Sequence, residues 1–143
     1  MLGEGYFAEH PEYYALVNGE RRPMRGGSGQ ICTSNPDVIE ICAQNAAKRA
    51  EDIVPISPND GSGFCECERC RALDVPDALM PWGAGEVVAL TDRIFTFANQ
   101  LAERAHQLNP DKLFGHFCYT FFKQPPAKLQ DLSDYIVLFF AYG

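Results

Sequence analysis

The sequence has no apolar run long enough to span a bilayer, and its start lacks a basic segment followed by an apolar one. Neither a membrane helix nor an export signal is visible. Basic residues are scarce: 12 Lys and Arg stand against 19 Asp and Glu, for a net charge of -7. Nucleic acid and anionic lipid both call for a basic face, so neither is expected as a partner. There is one Trp, three His and no low-complexity tract. No glycine-rich first turn marks a dinucleotide site. Gly26-Gly27-Ser28-Gly29 is no phosphate loop, since no Lys-Ser/Thr follows and no strand precedes it, and it reads as a mobile connection.

What remains is ordinary for a globular chain: 143 residues, 46% hydrophobic and 22% charged, enough for one domain with a real core. Ten Phe, six Tyr and the Trp on an acidic background suit a neutral or hydroxyl-rich small ligand. Six cysteines permit disulfides or a metal site, depending on compartment.

The chain is organised around Ile53 to Cys70, IVPISPNDGSGFCECERC. Ile53-Val54-Pro55-Ile56 has the length and β-branched content of a buried strand, and Ser57-Pro58-Asn59-Asp60-Gly61 breaks it. Before it, Asn18-Gly19 predicts a hairpin with Tyr13 to Val17 as one arm. A helix is expected from Asn35-Pro36-Asp37 to about Ala50, capped by Ser34 or Asn35, with Cys42 in its core stripe. A long connection, 57–90, follows the strand; connections of this length are functional or disordered. A second helix begins near Thr91-Asp92, places Ile94, Ala98, Leu101, Ala105 and Leu108 on one stripe, and stops at Asn109-Pro110. Leu113 to Phe121 reads as a strand, Ala127 to Leu132 as a short helix and Ile136 to Ala141 as another strand.

Alternating strands and helices imply an α/β fold with a parallel sheet. A (β/α)8 barrel is favoured over a doubly wound sheet. A whole barrel needs about 250 residues, so 1–143 is expected to be roughly half of one, with the remainder as its partner in a larger protein. The two ends agree with this, because Met1 enters directly into patterned sequence and the last strand has no helix after it.

Asp60 follows the C-terminal end of a parallel strand, where barrels place general acids, bases and substrate clamps. An Asx-turn, in which Asp60 or Asn59 bonds its own backbone, is the competing reading. Cys65, Cys67 and Cys70 can supply three ligands to a structural zinc, with Cys32, His10 or His116 as a fourth. A disulfide to Cys32 or Cys118 and plain reduced thiols are the alternatives; no nearby His pattern supports a catalytic thiolate. Alternation puts His116 and Cys118 on one strand face and Phe117 and Tyr119 on the other. His116 reads as a hydrogen-bonded core residue. Tyr119 and Tyr142, near strand ends, are candidate substrate contacts. Trp82 is a candidate sugar platform or merely its loop's apolar anchor. Asn99 lies off the helix stripe and defaults to the surface.

The blocks HPEYYALVNGERR, QICTSNPDVIEI, ISPNDGSGFCECERCRALD, TDRIFTFANQLAERA and NPDKLFGHFCYTFFKQPP, in that order, resemble the glycoside-hydrolase-like domain-of-unknown-function family 4838. The resemblance runs from about His10 to Pro126, and its specific parts are SPNDG and CECERC. It implies a barrel related to those of hexosaminidases and α-glucuronidases, and a carbohydrate substrate, with no cofactor required for catalysis. The family's motif residues present here are Asn59, Asp60, Cys65, Cys67, Cys70, Asn99 and Tyr119. Hexosaminidase-type barrels use an Asp-Glu pair after a strand. The matching place here is Asn59-Asp60, which leaves Asp60 as general acid or polarising carboxylate and Asn59 as a substrate contact. Glycoside hydrolysis normally needs a second carboxylate; Glu66, locked between cysteines, is a poor one, so the partner is expected in the other half. A glycan-binding module without catalysis, or a zinc-stapled structural module, is the alternative function.

Overall fold

The computed structural model describes residues 2–26 and 28–141. A two-residue turn at Asn18-Gly19, both with positive φ (52° and 81°), joins β1 (Leu16–Val17) to β2 (Glu20–Arg21). Gly19 tolerates that φ because it has no Cβ, and Asn is among the residues that enter this region most readily. The hairpin signal is thus realised with shorter arms than expected. Ser28 and Arg25 exchange backbone hydrogen bonds of 3.0 and 3.1 Å, closing the following loop; Gly27 lies outside the described residues.

α1 (Pro36–Ala47) starts where the side chain of Asn35 accepts the backbone N–H of Asp37, with Pro36 in the first turn. β3 (Ile53–Pro55) follows. The connection over 57–90 is not a bare loop. It holds a one-turn helix, α2 (Glu68–Arg71), and an antiparallel ribbon of β4 (Leu79–Trp82) and β5 (Gly85–Val88). Pro81 sits within β4, tolerated because a two-stranded ribbon consists only of edges. α3 (Thr91–Leu108) then leads into β6 (Leu113–Cys118) and, after a 3-10 turn at Thr120–Phe122, into β7 (Ile136–Phe140). β6 stops three residues short of the expected end, where Thr120 takes φ 47° and turns the chain.

The expected helix at Ala127 to Leu132 does not form. The backbone N–H groups of Ala127, Lys128 and Leu129 instead donate to the Asp92 carboxylate at 2.7–2.8 Å. Asp92 fixes the segment as an irregular strap over the start of α3.

β3, β6 and β7 form one parallel sheet in that order. Val54, Ile56 and Phe114 on one face join Val38, Cys42, Ala43 and Ala46 of α1 and Phe97, Ala98, Leu101, Ala102 and Ala105 of α3 in a single core. Both long helices therefore cover the same face. The opposite face carries Ile53, Leu113, Phe117 and Phe139, each about 40% exposed or more. The architecture is mixed α/β with an open sheet. Among the described residues no helix is long and apolar enough to cross a membrane.

Candidate functional site

Two clusters of chemistry-bearing residues lie on the segment after β3. The first is a thiol cluster. Cys65, Cys67 and Cys70 converge on Cys32, and the four Sγ atoms all lie within 4.8 Å of one another. Cys32 Sγ is 3.7 Å from that of Cys67 and 3.8 Å from that of Cys70. Cys32, Cys65 and Cys70 are buried, Cys67 is half-buried, and all are free thiols. The group could hold a metal such as zinc.

Of the three candidates for a fourth ligand the structure brings in Cys32 and neither histidine. His10 stacks on Tyr13 and faces Glu12. His116 is 1% exposed inside the sheet, with Nδ1 hydrogen-bonded to the Phe117 carbonyl at 2.8 Å. Burial pushes its pKa down to about 4, so the ring is neutral at pH 7. Cys118 and Cys42 stand apart from the cluster. Burial raises the pKa of both, Cys42 to about 11, which leaves them inert, as expected for Cys42.

The cluster is held from three sides. The Leu16 N–H donates to Cys65 Sγ at 3.4 Å, and the Arg21 guanidinium lies 3.7 Å from the same sulfur. Ser34 Oγ is 3.1 Å from Cys70 Sγ. Glu66 pairs with the hairpin turn through the Asn18 N–H at 2.8 Å. From α3, buried Arg93 donates to the Cys65 carbonyl at 2.6 Å and forms a two-pronged ion pair with Asp74. Hydrogen bonds from the thiols of Cys65 and Cys70 and from the Ser34 hydroxyl hold Cys32 below the usual thiol range. Arg21, Arg93 and Asp74 were not legible as site residues, because their partners are distant in sequence and no local pattern marks them.

The second cluster is at the strand ends. Asp60 is exposed and accepts a hydrogen bond from the Tyr119 hydroxyl. Both line a shallow groove of about 370 Å³ with Pro55, Ser57, Pro58, Asn59 and Phe117. The carboxylate thus faces a concavity beyond the ends of β3 and β6. Ser57 Oγ accepts the Phe117 N–H at 2.8 Å, tying the two strand exits together. Burial raises the Tyr119 pKa to about 12, with help from Asp60, so its hydroxyl stays a donor.

Asn59 lines the groove, but its side-chain Nδ2 is committed, donating to the Gly29 carbonyl at 2.8 Å, and its backbone carbonyl accepts from the Gln30 side chain. It anchors the turn on which Asp60 stands. Trp82 is 46% exposed and stacks on Phe121 with centroids 4.3 Å apart. Ring contacts continue from Phe121 to Phe64, Phe122 and Tyr119, linking the two aromatic candidates. Asn99 is half-buried, and its side chain accepts the Ser133 N–H and donates to the Asp131 carbonyl. Tyr142 lies outside the described residues.

A family model described as "Domain of unknown function (DUF4838)" matches residues 1–141 of the chain. No curated protein and no solved structure matches it.

Proposed function

From a chain that belongs to the DUF4838 family, we propose a carbohydrate-active, glycoside-hydrolase-like domain, part of a (β/α)8-type barrel, acting on a poly- or oligosaccharide through carboxylate chemistry. The observation that carries this reading is the Asp60–Tyr119 pair lining a groove at the C-terminal ends of parallel strands, the usual place for barrel chemistry. Two further features support it. Strands β3, β6 and β7 follow one another in sequence order with both long helices on one face, as in a barrel wall. The bare face carries large apolar side chains, as a wall facing a filled interior does.

In this reading Asp60 protonates the leaving glycosidic oxygen or polarises the substrate. Tyr119, bonded to one carboxylate oxygen, fixes its orientation and leaves the other oxygen for the sugar. The second carboxylate that hydrolysis needs comes from a strand outside this chain. The thiol cluster is a clamp outside the chemistry.

The test is Asp60→Asn in the intact protein, assayed by release of reducing ends from a panel of oligosaccharides. Loss of a general acid lowers turnover by about 10²- to 10⁴-fold. Unchanged turnover in a variant with the parent's melting temperature removes Asp60 from the mechanism. Glycan binding without turnover is the second reading, favoured by the exposed indole of Trp82 on Phe121. Saturable glycan binding by a parent protein that turns nothing over selects it.

A further inference from the structure

We infer that Cys32, Cys65, Cys67 and Cys70 bind one zinc ion in a closed tetrathiolate site that welds the segment after β3 to the N-terminal hairpin. A tetrahedral ion with Zn–S bonds of about 2.3 Å sets its sulfurs about 3.8 Å apart. The contacts of 3.7 and 3.8 Å from Cys32 already have that spacing. A disulfide needs two sulfurs at about 2.0 Å, in exclusive pairs. Here Cys32 is nearly equidistant from two partners.

The surroundings fit anions rather than neutral thiols. An amide N–H and a guanidinium are both directed at Cys65 Sγ, and the Ser34 hydroxyl reaches Cys70, Cys32 and Cys67 at 3.1, 3.7 and 3.8 Å. Such donors surround metal-bound thiolates and partly offset their charge. Four thiolates leave a zinc centre with two net negative charges, and Arg21 is the cation placed to reduce them.

The packing supplies an independent reason. The small core around the cluster has Ala15, Cys32, Cys65 and Cys70 as its buried members, with Leu16, Val17 and Cys67 packed against it. That is too little hydrocarbon to hold two chain segments together unaided, the circumstance in which small cores use a metal. Thiolate softness excludes magnesium, calcium and manganese, and zinc outranks ferrous iron for the same ligands. With four protein ligands no position stays open for water, so the site is structural. Binding forms four S–Zn bonds, each thiol that ionises gives its proton to solvent, and nothing is oxidised or reduced. The inference stands whether or not the protein acts on glycans.

The experiment is elemental analysis of the intact protein, purified under reducing conditions without chelator, together with cobalt(II) reconstitution after zinc removal. The expected result is one zinc per chain, and on reconstitution the thiolate-to-cobalt charge-transfer bands and strong visible bands of a tetrahedral ion. Cys32→Ser should lose the zinc, whereas Cys42→Ser and Cys118→Ser retain it. Cys32→His, which restores a fourth ligand, should recover it, separating ligand loss from misfolding. Absence of zinc together with absence of the cobalt spectrum overturns the inference. So does stoichiometric iron, or a disulfide between any two of the four cysteines in peptides mapped without reduction.

Discussion

His116 shows how one buried side chain couples this fold to acid. Its ring packs between Phe95 and Phe122, with centroids 4.7 and 5.7 Å away, and among the described residues Nε2 has no hydrogen-bond partner. Burial holds the folded-state pKa at about 4, below the ordinary value of about 6.5. Between those values the unfolded chain binds a proton that the folded chain refuses. The resulting stabilisation is fully present above pH 6.5 and is lost as pH falls towards 4, by up to roughly 3 kcal/mol. Urea titrations from pH 7.5 to 4 should show that decline, and His116→Phe, which keeps a ring in place, should flatten it. An equally steep decline in the variant would assign the effect to other groups. Asp92 acts in a lower range: burial raises its pKa, three backbone donors outweigh that, and the net value is lowered. Its contribution therefore holds above the usual carboxylate range and is lost only in stronger acid. The sequence marks His116 as a core residue through strand alternation. It cannot mark Asp92 as more than a helix start, because the donors it serves lie 35 to 37 positions away.

At the scale of elements, what could be read early was what local chemistry dictates. Asn35-Pro36-Asp37 begins α1 because each residue satisfies or suits the free end of a helix. The apolar stripe of α3 is long enough to be unambiguous. The ribbon of β4 and β5 was hidden, since Pro81, Gly83 and Gly85 read as loop punctuation and four-residue strands carry little alternation. The irregular strap at 127–132 was hidden for another reason: Asp92 and Asn99, both on α3, tie its two ends along that helix. Of the thiol site, spacing revealed Cys65, Cys67 and Cys70, yet left three choices for the fourth member, which only the fold could bring together. Asp60 and Tyr119 were each placed at strand ends by position; their hydrogen bond is a product of strand order. The cap of α1 offers a direct test at this scale. Asn35 is 5% exposed, and its side chain satisfies the Asp37 N–H at 2.9 Å. Asn35→Ala should cost about 1 kcal/mol, at most about 2, seen as a lower urea midpoint with an unchanged slope. A change near zero would show that Pro36 and the dipole suffice to start the helix.

The whole molecule presents an imbalance between its two sheet faces. One is covered by α1 and α3 except at the end of β7, where Phe140 is 59% exposed; the other leaves Ile53, Leu113, Phe117 and Phe139 at 39–46% exposure, and among the described residues β7 pairs with β6 alone. Apolar patches of this kind on a protein surface mark an interface, or else an aggregation liability. Gly115, in the middle of β6, belongs to the same face: a Cβ there would lie 3.0 Å from the Phe139 ring and 3.2 Å from Ile53, so these side chains already close over the strand. In the barrel reading, further strands supply the missing contacts and the phenylalanines become interior. Hydroxyl-radical footprinting distinguishes the outcomes. In the 143-residue chain on its own, Phe117 and Phe139 should be modified readily, and the chain should self-associate. In the intact protein both rings should be protected, while Trp82, on the separate ribbon, stays reactive. Equal modification of the phenylalanines in the two samples would mean that this face meets water in the working protein. The groove at Asp60 would then be a surface feature, and the argument for a barrel mouth would lose its geometric basis.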